Sequence, residues 1–214
     1  MIDKPRDVVV IAPHSDDETI AAFSLMQRWQ RGGTVVRVVV VTDGAASHRN
    51  SGKWPKPRLI AERRLETLRA MRSIGIPQQR VRLLGFPDGG LDSLSATERR
   101  RLVRALRHGR EPDLVVIPSA YDSHPDHRDV ASACREAWPP RVARLAYTVW
   151  PGSRGEPRSG AAATDIVASP FRKRRTLGLY RTQTGLIRDD PNGFHLTASQ
   201  IAEKCGPFEQ FQRG

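Results

Sequence analysis

The sequence predicts an α/β fold: a Rossmann-like, mostly parallel twisted sheet with helices on both faces, closed as a single domain over residues 1–214. Three observations carry that expectation. The chain has 214 residues, a length that one hydrophobic core commonly serves. Short β-branched runs alternate with helical apolar patterns along most of it, as strands joined by crossover helices do. The strand-like runs are continuously apolar, which suits parallel strands buried on both faces.

Val8 to Ala12 is the first such run, and Thr19 to Arg31 follows with apolar residues at helical spacing until Gly32 and Gly33 stop it. Val35 to Val41 is the second strand, ending in Thr42-Asp43-Gly44. A loop with Ser51, Gly52, Pro55 and Pro57 leads to a long helix from about Leu59 to Ser73, closed before Gly75 and Pro77. Val81 to Leu84 is a short strand. Ser95 and Glu98 then have the form of a capping box opening a helix to about Arg107, with Leu102, Val103 and Leu106 as its buried stripe. Leu114 to Pro118, a helix from Asp126 to Trp138, and Leu145 to Val149 continue the alternation. After a Gly, Arg and Ser-rich loop from Gly152 to Gly160 come Asp165 to Ala168 and a helix from about Phe171 to Thr182. Residues 8–183 form the core, and 184–214 read as loops around one short helix near Thr197 to Lys204.

Composition excludes several classes. No apolar run reaches the roughly 18 residues of a membrane span, and the first residues lack a secretory pattern, so a cytoplasmic location is expected, with peripheral attachment to a membrane as the alternative. Two cysteines, Cys134 and Cys205, are too few for a disulfide framework and read as buried thiols. No glycine-rich phosphate loop or dinucleotide fingerprint follows a strand. Lys and Arg number 35 against 23 Asp and Glu, a formal charge of +12, which favours an anionic partner. Aromatic residues are only 6% and show no stacking pattern, so nucleic acid is not expected.

Ligands of doubly wound sheets sit at the carboxyl ends of strands, and two reactive clusters fall there. Pro13-His14-Ser15-Asp16-Asp17-Glu18 follows the first strand directly, and Ser123-His124-Pro125-Asp126-His127 lies just beyond the Leu114 to Pro118 strand. If the two strands are neighbours, the turns face each other across one crevice. A catalytic zinc takes three His or carboxylate ligands and keeps a position for water. Histidine and carboxylate from the first turn with a histidine from the second would supply that set. A neighbouring carboxylate could serve as base and the other histidine could stabilise an oxyanion. Helix capping by Ser and Asp, with Glu18 placed by the helix dipole, is the competing structural reading.

At these residues the sequence resembles the PIG-L or LmbE-like zinc N-deacetylases: a Pro-His-x-Asp-Asp-Glu turn after the first strand and His-Pro-Asp-His far downstream. Arg63 to Ala70 with Gly75 is similar to the family's Arg-x-x-Glu-x-x-x-Ala helix, Phe86-Pro87-Asp88-Gly89 to its Pro-Asp-Gly loop, and Lys173 through Tyr180 to Gln183 to a helix that usually ends in Ser-Gln. The resemblance implies zinc ligands at His14, Asp17 and His127, a general base at Asp16 and an oxyanion stabiliser at His124. It also implies hydrolysis of an N-acetyl group on a sugar such as a glucosamine unit of a glycoconjugate. Ser15 stands where the family most often has Pro, and Thr182 where it has Ser; neither removes a ligand. Fe, Mn or Co could occupy the same donors in place of Zn²⁺.

Further candidates line up less sharply. Asp43 could point into the crevice or shape the turn at Gly44. Arg63 could bind substrate or pair with Glu66 on the helix surface. Asp88 shapes its turn or touches substrate. Tyr121 could line the pocket, and Asp122 could do so or orient a histidine. His48, His108 and His195 read as surface or loop residues. Arg99, Arg100, Arg101, Arg104 and Arg107 suit a solvated helix face, whereas Arg172 to Arg175 could flank the crevice and favour a phosphate- or carboxylate-bearing, lipid-linked substrate. Two other functions stay open: a metal-dependent amidase acting on another amide, such as a thiol conjugate, and a non-catalytic binder of anionic glycolipid or nucleic acid.

Overall fold

A computed structural model describes residues 4–107, 109–152 and 163–213. The apolar runs become β1 (Asp7–Ala12), β2 (Val35–Thr42), β3 (Val81–Phe86), β4 (Leu114–Pro118) and β5 (Ala143–Tyr147), joined by helices α1 (Asp17–Arg31), α2 (Lys56–Ser73), α3 (Ala96–Leu106) and α4 (Pro125–Ala137). β6 (Ala163–Val167), α5 (Pro170–Leu177), α6 (Ala198–Lys204) and β7 (Phe208–Arg213) complete the chain. The sheet order is β3-β2-β1-β4-β5-β7-β6. β1 pairs in parallel with both β2 and β4, with Val8 opposite Val36 on one side and Leu114 on the other.

Every residue of β1 and β4 is buried, because helices cover both faces. Val8, Val10 and Ala12 pack with Phe23, Met26, Met71 and Leu177 of α1, α2 and α5, while Val9 and Ile11 pack with Leu102, Leu106, Val130 and Cys134 of α3 and α4. Winding runs from β1 outward to β3, then returns across β1 to β4. That reversal opens a crevice at the carboxyl ends of β1 and β4. The two reactive turns therefore leave adjacent strands.

The structure corrects several boundaries. β5 ends at Tyr147 because the amides of Val149 and Trp150 go to the Asp122 carboxylate (2.8 and 3.1 Å) instead of the ladder. The helix expected to reach Thr182 stops at Leu177. Thr182 gives both its amide (2.8 Å) and its hydroxyl (2.6 Å) to Glu66, which turns the chain toward α2. The Gly152–Gly160 loop lies outside the described residues from 153 on.

The 184–214 segment holds the expected short helix, α6, opened by a Thr197 and Gln200 capping box. It also holds β7, which sequence reading missed. This strand inserts antiparallel between β5 and β6 and turns Glu209 inward, 3% exposed. There the carboxylate accepts the amides of Ser24 (2.9 Å) and Leu25 (3.1 Å), just beyond a kink of α1 at Ala22 (φ −132, ψ 18). It also pairs with Lys173 Nζ at 3.1 Å. Lys173 is thus buried in the Arg172 to Arg175 run, and none of that run lines the crevice. Arg100, Arg101, Arg104 and Arg107 are exposed and Arg99 is half-buried against Glu136, as a mostly solvated helix face requires. Both cysteines are buried and free. No described helix is long and apolar enough to cross a membrane.

Candidate metal centre and active site

The first turn is built around a strained residue. Asp16 has φ 109 and ψ −28, the one positive φ outside glycine among the described residues. Such backbone costs about 1–3 kcal/mol and persists only where neighbours enforce it. Asp16 occupies the N-cap of α1, yet its side chain makes no capping bond. The capping reading thus fails here. Glu18, fully buried, accepts the Asp16 amide at 3.2 Å and the Tyr180 hydroxyl; burial pushes its pKa up to about 7.

Arg63 braces the turn from α2. Its guanidinium donates to the carbonyls of Ser15 (2.8 Å) and Gly44 (3.2 Å). Gly44 permits this approach, since it has φ +71 and a Cβ there would lie 2.5 Å from Arg63 Nε. The expected surface pair is corrected: Arg63 and Glu66 are both buried, each committed to a different partner.

The second turn hangs on Asp122, 1% exposed. Besides the Val149 and Trp150 amides it accepts the His124 amide at 3.0 Å and stands 3.0 Å from His127 Nδ1. Nε2 of the fully buried His127 lies 3.1 Å from Asp17 Oδ2. These are ion-pair distances, but neither nitrogen has the alignment of a hydrogen bond. A buried imidazole nitrogen without an aligned hydrogen bond, as at His127 Nε2, suits a metal ligand, with Nδ1 held beside the orienting Asp122 carboxylate.

His14 also stands between carboxylates, but its two ring nitrogens are hydrogen-bonded, to Asp17 and Asp126. Its Nδ1 is 3.2 Å from Asp17 Oδ2, while Nε2 is 3.0 Å from Asp126 and 3.2 Å from Asp88. Each histidine therefore has one nitrogen on an orienting carboxylate and the other on Asp17. Ligand atoms around a tetrahedral ion with bonds of about 2.0–2.1 Å stand about 3.3 Å apart, close to the Asp17 distances to His14 and His127, and His14, His124 and His127 offer ring nitrogens within 4.8 Å of one another, so these residues could hold a divalent cation. The His14, Asp88 and Asp126 cluster is better read as support, because Asp88 accepts the Ala46 amide and Asp126 the Gly89 amide, each at 2.8 Å. Against their burial, Asp126, Asp17 and Asp88 raise the pKa of His14, and Asp17 with Asp122 push that of His127 up to about 9. Asp17, against its burial, is held far below the carboxylate range by the two histidines.

His124 caps α4 by accepting the Asp126 amide on Nδ1 at 3.2 Å. Burial and the neighbouring His14 and His127 lower its pKa. A neutral ring whose Nδ1 is an acceptor keeps its proton on Nε2. It is then a hydrogen-bond donor for a reacting oxygen. Burial and the Asp17 charge raise the Asp16 pKa, with Arg63 opposing, as suits a general base.

The crevice, about 460 Å³, is lined by His14, Asp16, Asp17, Arg63, Asp88 and His124 among the residues singled out from sequence. His127 and Asp122 stand behind it. Asp43 does not reach it: its carboxylate accepts the Ala45 amide at 3.0 Å and faces Lys56, shaping the turn. Tyr121 is also displaced, 58% exposed and away from the lining. His48 lies in a turn but is buried, His195 is exposed, and His108 lies outside the described residues. Gln183, quoted from sequence only as the end of the Lys173 to Gln183 motif, also lines the crevice, and Ser47, Trp150 and Phe194 line it unforeseen. No local spacing marks them, because they arrive from distant segments. Asp122→Asn is expected to weaken metal binding about 10- to 100-fold, read by competition with a chromophoric chelator.

The structure thus defines an α/β protein with clustered histidines and carboxylates in the crevice at its switch point. The PIG-L family model, described as GlcNAc-PI de-N-acetylase, matches residues 9–138, and the chain belongs to that family. No curated protein sequence matches it. Among solved structures it is similar to N,N'-diacetylchitobiose deacetylase from Pyrococcus horikoshii (TM-score 0.74, 22% identity, covering 98% of this chain and 84% of that one). It is also similar to a deacetylase of teicoplanin biosynthesis (0.67, 20%, 97% and 97%). GalB, the 4-carboxy-2-hydroxymuconate hydratase from Pseudomonas putida, shares the fold too (0.69, 14%, 97% and 95%). Fold likeness alone therefore does not choose the reaction.

Proposed function

We propose that the protein is a metal-dependent N-deacetylase that removes the acetyl group from an N-acetylglucosamine-type sugar of a glycoconjugate. The observation that carries this reading is the convergence of His14, Asp17 and His127 with Asp16 and His124 at one crevice. Family membership supports sugar N-deacetylation in general, and the chitobiose and teicoplanin deacetylases among the structural neighbours agree with it. Zn²⁺ is the default metal, although one neighbour is a zinc-inhibited form of teicoplanin deacetylase, so Mn, Fe and Co belong in any test.

His14, Asp17 and His127 would hold the ion. A bound divalent metal of this kind lowers the pKa of a coordinated water to about 7, making hydroxide available at neutral pH. Asp16, raised in pKa and not committed to capping, takes the proton of the attacking water and returns it to the departing nitrogen. His124 donates Nε2–H to the acetyl oxygen as charge builds on it. A C–O bond forms, the amide C–N bond breaks, and acetate leaves with a free amine. Screening N-acetylglucosamine conjugates tests this: acetate and amine should appear one for one, stop with a chelator and resume with added metal. Failure of metal-loaded protein on every conjugate overturns it.

A further inference from the structure

We propose that Trp150 and Phe194 form an aromatic wall that takes the apolar face of a pyranose ring, with a clasp between residues 47–53 and 189–194 holding Phe194 in place. The inference deepens the sugar N-deacetylase reading and rests on it. Chemistry at the polar end of the crevice needs only an acetamide, yet the cavity of about 460 Å³ is of the size that encloses a whole small molecule. Trp150 and Phe194 add apolar surface to its lining. The Trp150 and Phe194 rings meet edge to face at 5.9 Å and 89°, and Phe194 stays 40% exposed.

Both rings are fixed from behind. The Trp150 amide donates to Asp122 Oδ2, the oxygen that also faces His127 Nδ1. One carboxylate thus sets the spacing between the wall and the metal donors. Lys204 Nζ sits 5.0 Å from the Trp150 ring centre and donates to the Val149 carbonyl.

Phe194 is held by two segments far apart in sequence. Its amide donates to the Ser47 carbonyl at 2.7 Å. Asp190 accepts the Asn50 amide, and Asp189 accepts the Ser51 hydroxyl and the Lys53 amide, each at 2.9 Å. Gly193 lets buried His48 pack against the clasp, since a Cβ there would fall 2.3 Å from the His48 ring. Such a clasp touches none of the metal donors. Its product is the position of Phe194.

Gln183 supplies an independent sign of a ligand. It lines the same crevice, is 1% exposed, and its buried Nε2 has no hydrogen-bond partner. A donor left unpaired in a buried site awaits an acceptor, and a sugar oxygen provides one. Pyranoses combine such oxygens with C–H faces whose positive hydrogens suit the negative face of an aromatic ring. An acyclic N-acetyl amine offers no such face.

The test pairs equilibrium binding with turnover in the metal-loaded protein. Titration with N-acetylglucosamine should change the intrinsic fluorescence of the wild type, and Trp150→Phe should lose that change. Phe194→Ala, at a part-exposed side chain, should weaken binding and raise KM for an N-acetylglucosamine conjugate about 3- to 10-fold, with kcat within about twofold and no effect on an acyclic N-acetyl amino alcohol. Asp190→Ala should act in the same direction. Binding with these signatures but no acetate would support the wall and refute the deacetylase. Acetate release with Phe194→Ala unchanged, or with both substrates equally impaired, would overturn the wall alone. Neither binding nor acetate would overturn both.

Discussion

Asp16→Asn is expected to keep one metal per chain and to lose hydrolysis by about 10²- to 10⁴-fold, the usual contribution of a positioned general base. The residue suits so clean a separation. Its carboxylate is neither a proposed ligand nor a cap, so removing its charge leaves His14, Asp17 and His127 in place. Its backbone, at φ 109, is of a kind that asparagine tolerates about as well as aspartate. Glu18 and Arg63 continue to hold the turn through main-chain groups. The loss should therefore appear in kcat, with KM nearly unchanged. Steady-state acetate release and metal analysis on one preparation check it; near wild-type turnover would remove Asp16 from the chemistry.

Glu209→Ala is expected to produce the largest loss of stability. The substitution leaves Lys173, 2% exposed, as an unpaired buried charge and strips the Ser24 and Leu25 amides of their acceptor. Removing one partner of a buried pair costs about 3–5 kcal/mol. For a chain of this size that corresponds to roughly 6–20 °C in Tm. Glu209→Gln with Lys173→Met restores amide acceptors without a stranded charge and should recover much of the loss. A Tm within about 2 °C of wild type for Glu209→Ala would show that β7 does not anchor α1.

The sequence exposed the two turns because their information is local: residue types capable of binding metal, placed where strand signals end. Neighbouring β1 and β4 then converted two turns into one site. What stayed hidden depends on distant partners. Glu209 looked like a polar residue in a tail because Ser24 and Lys173, which justify its burial, lie far upstream. Arg63 resembled a surface residue until the carbonyls of Ser15 and Gly44 came within its reach. Asp43 and Tyr121 were drawn toward the crevice by proximity in sequence, yet the Ala45 amide claims one and solvent the other. Trp150 and Phe194 share no spacing at all; only the folded loops bring them together.

Amide hydrolysis is proposed to depend on an ion held by His14, Asp17 and His127. Titration of Zn²⁺, Mn²⁺ or Co²⁺ into metal-stripped protein, with acetate release from an N-acetylglucosamine conjugate recorded throughout, checks that dependence. Activity is predicted to rise from near zero and reach its plateau at one equivalent of an activating metal per chain. Full activity in the stripped protein, unchanged as metal is added, would rule out a metal-dependent reaction at these residues.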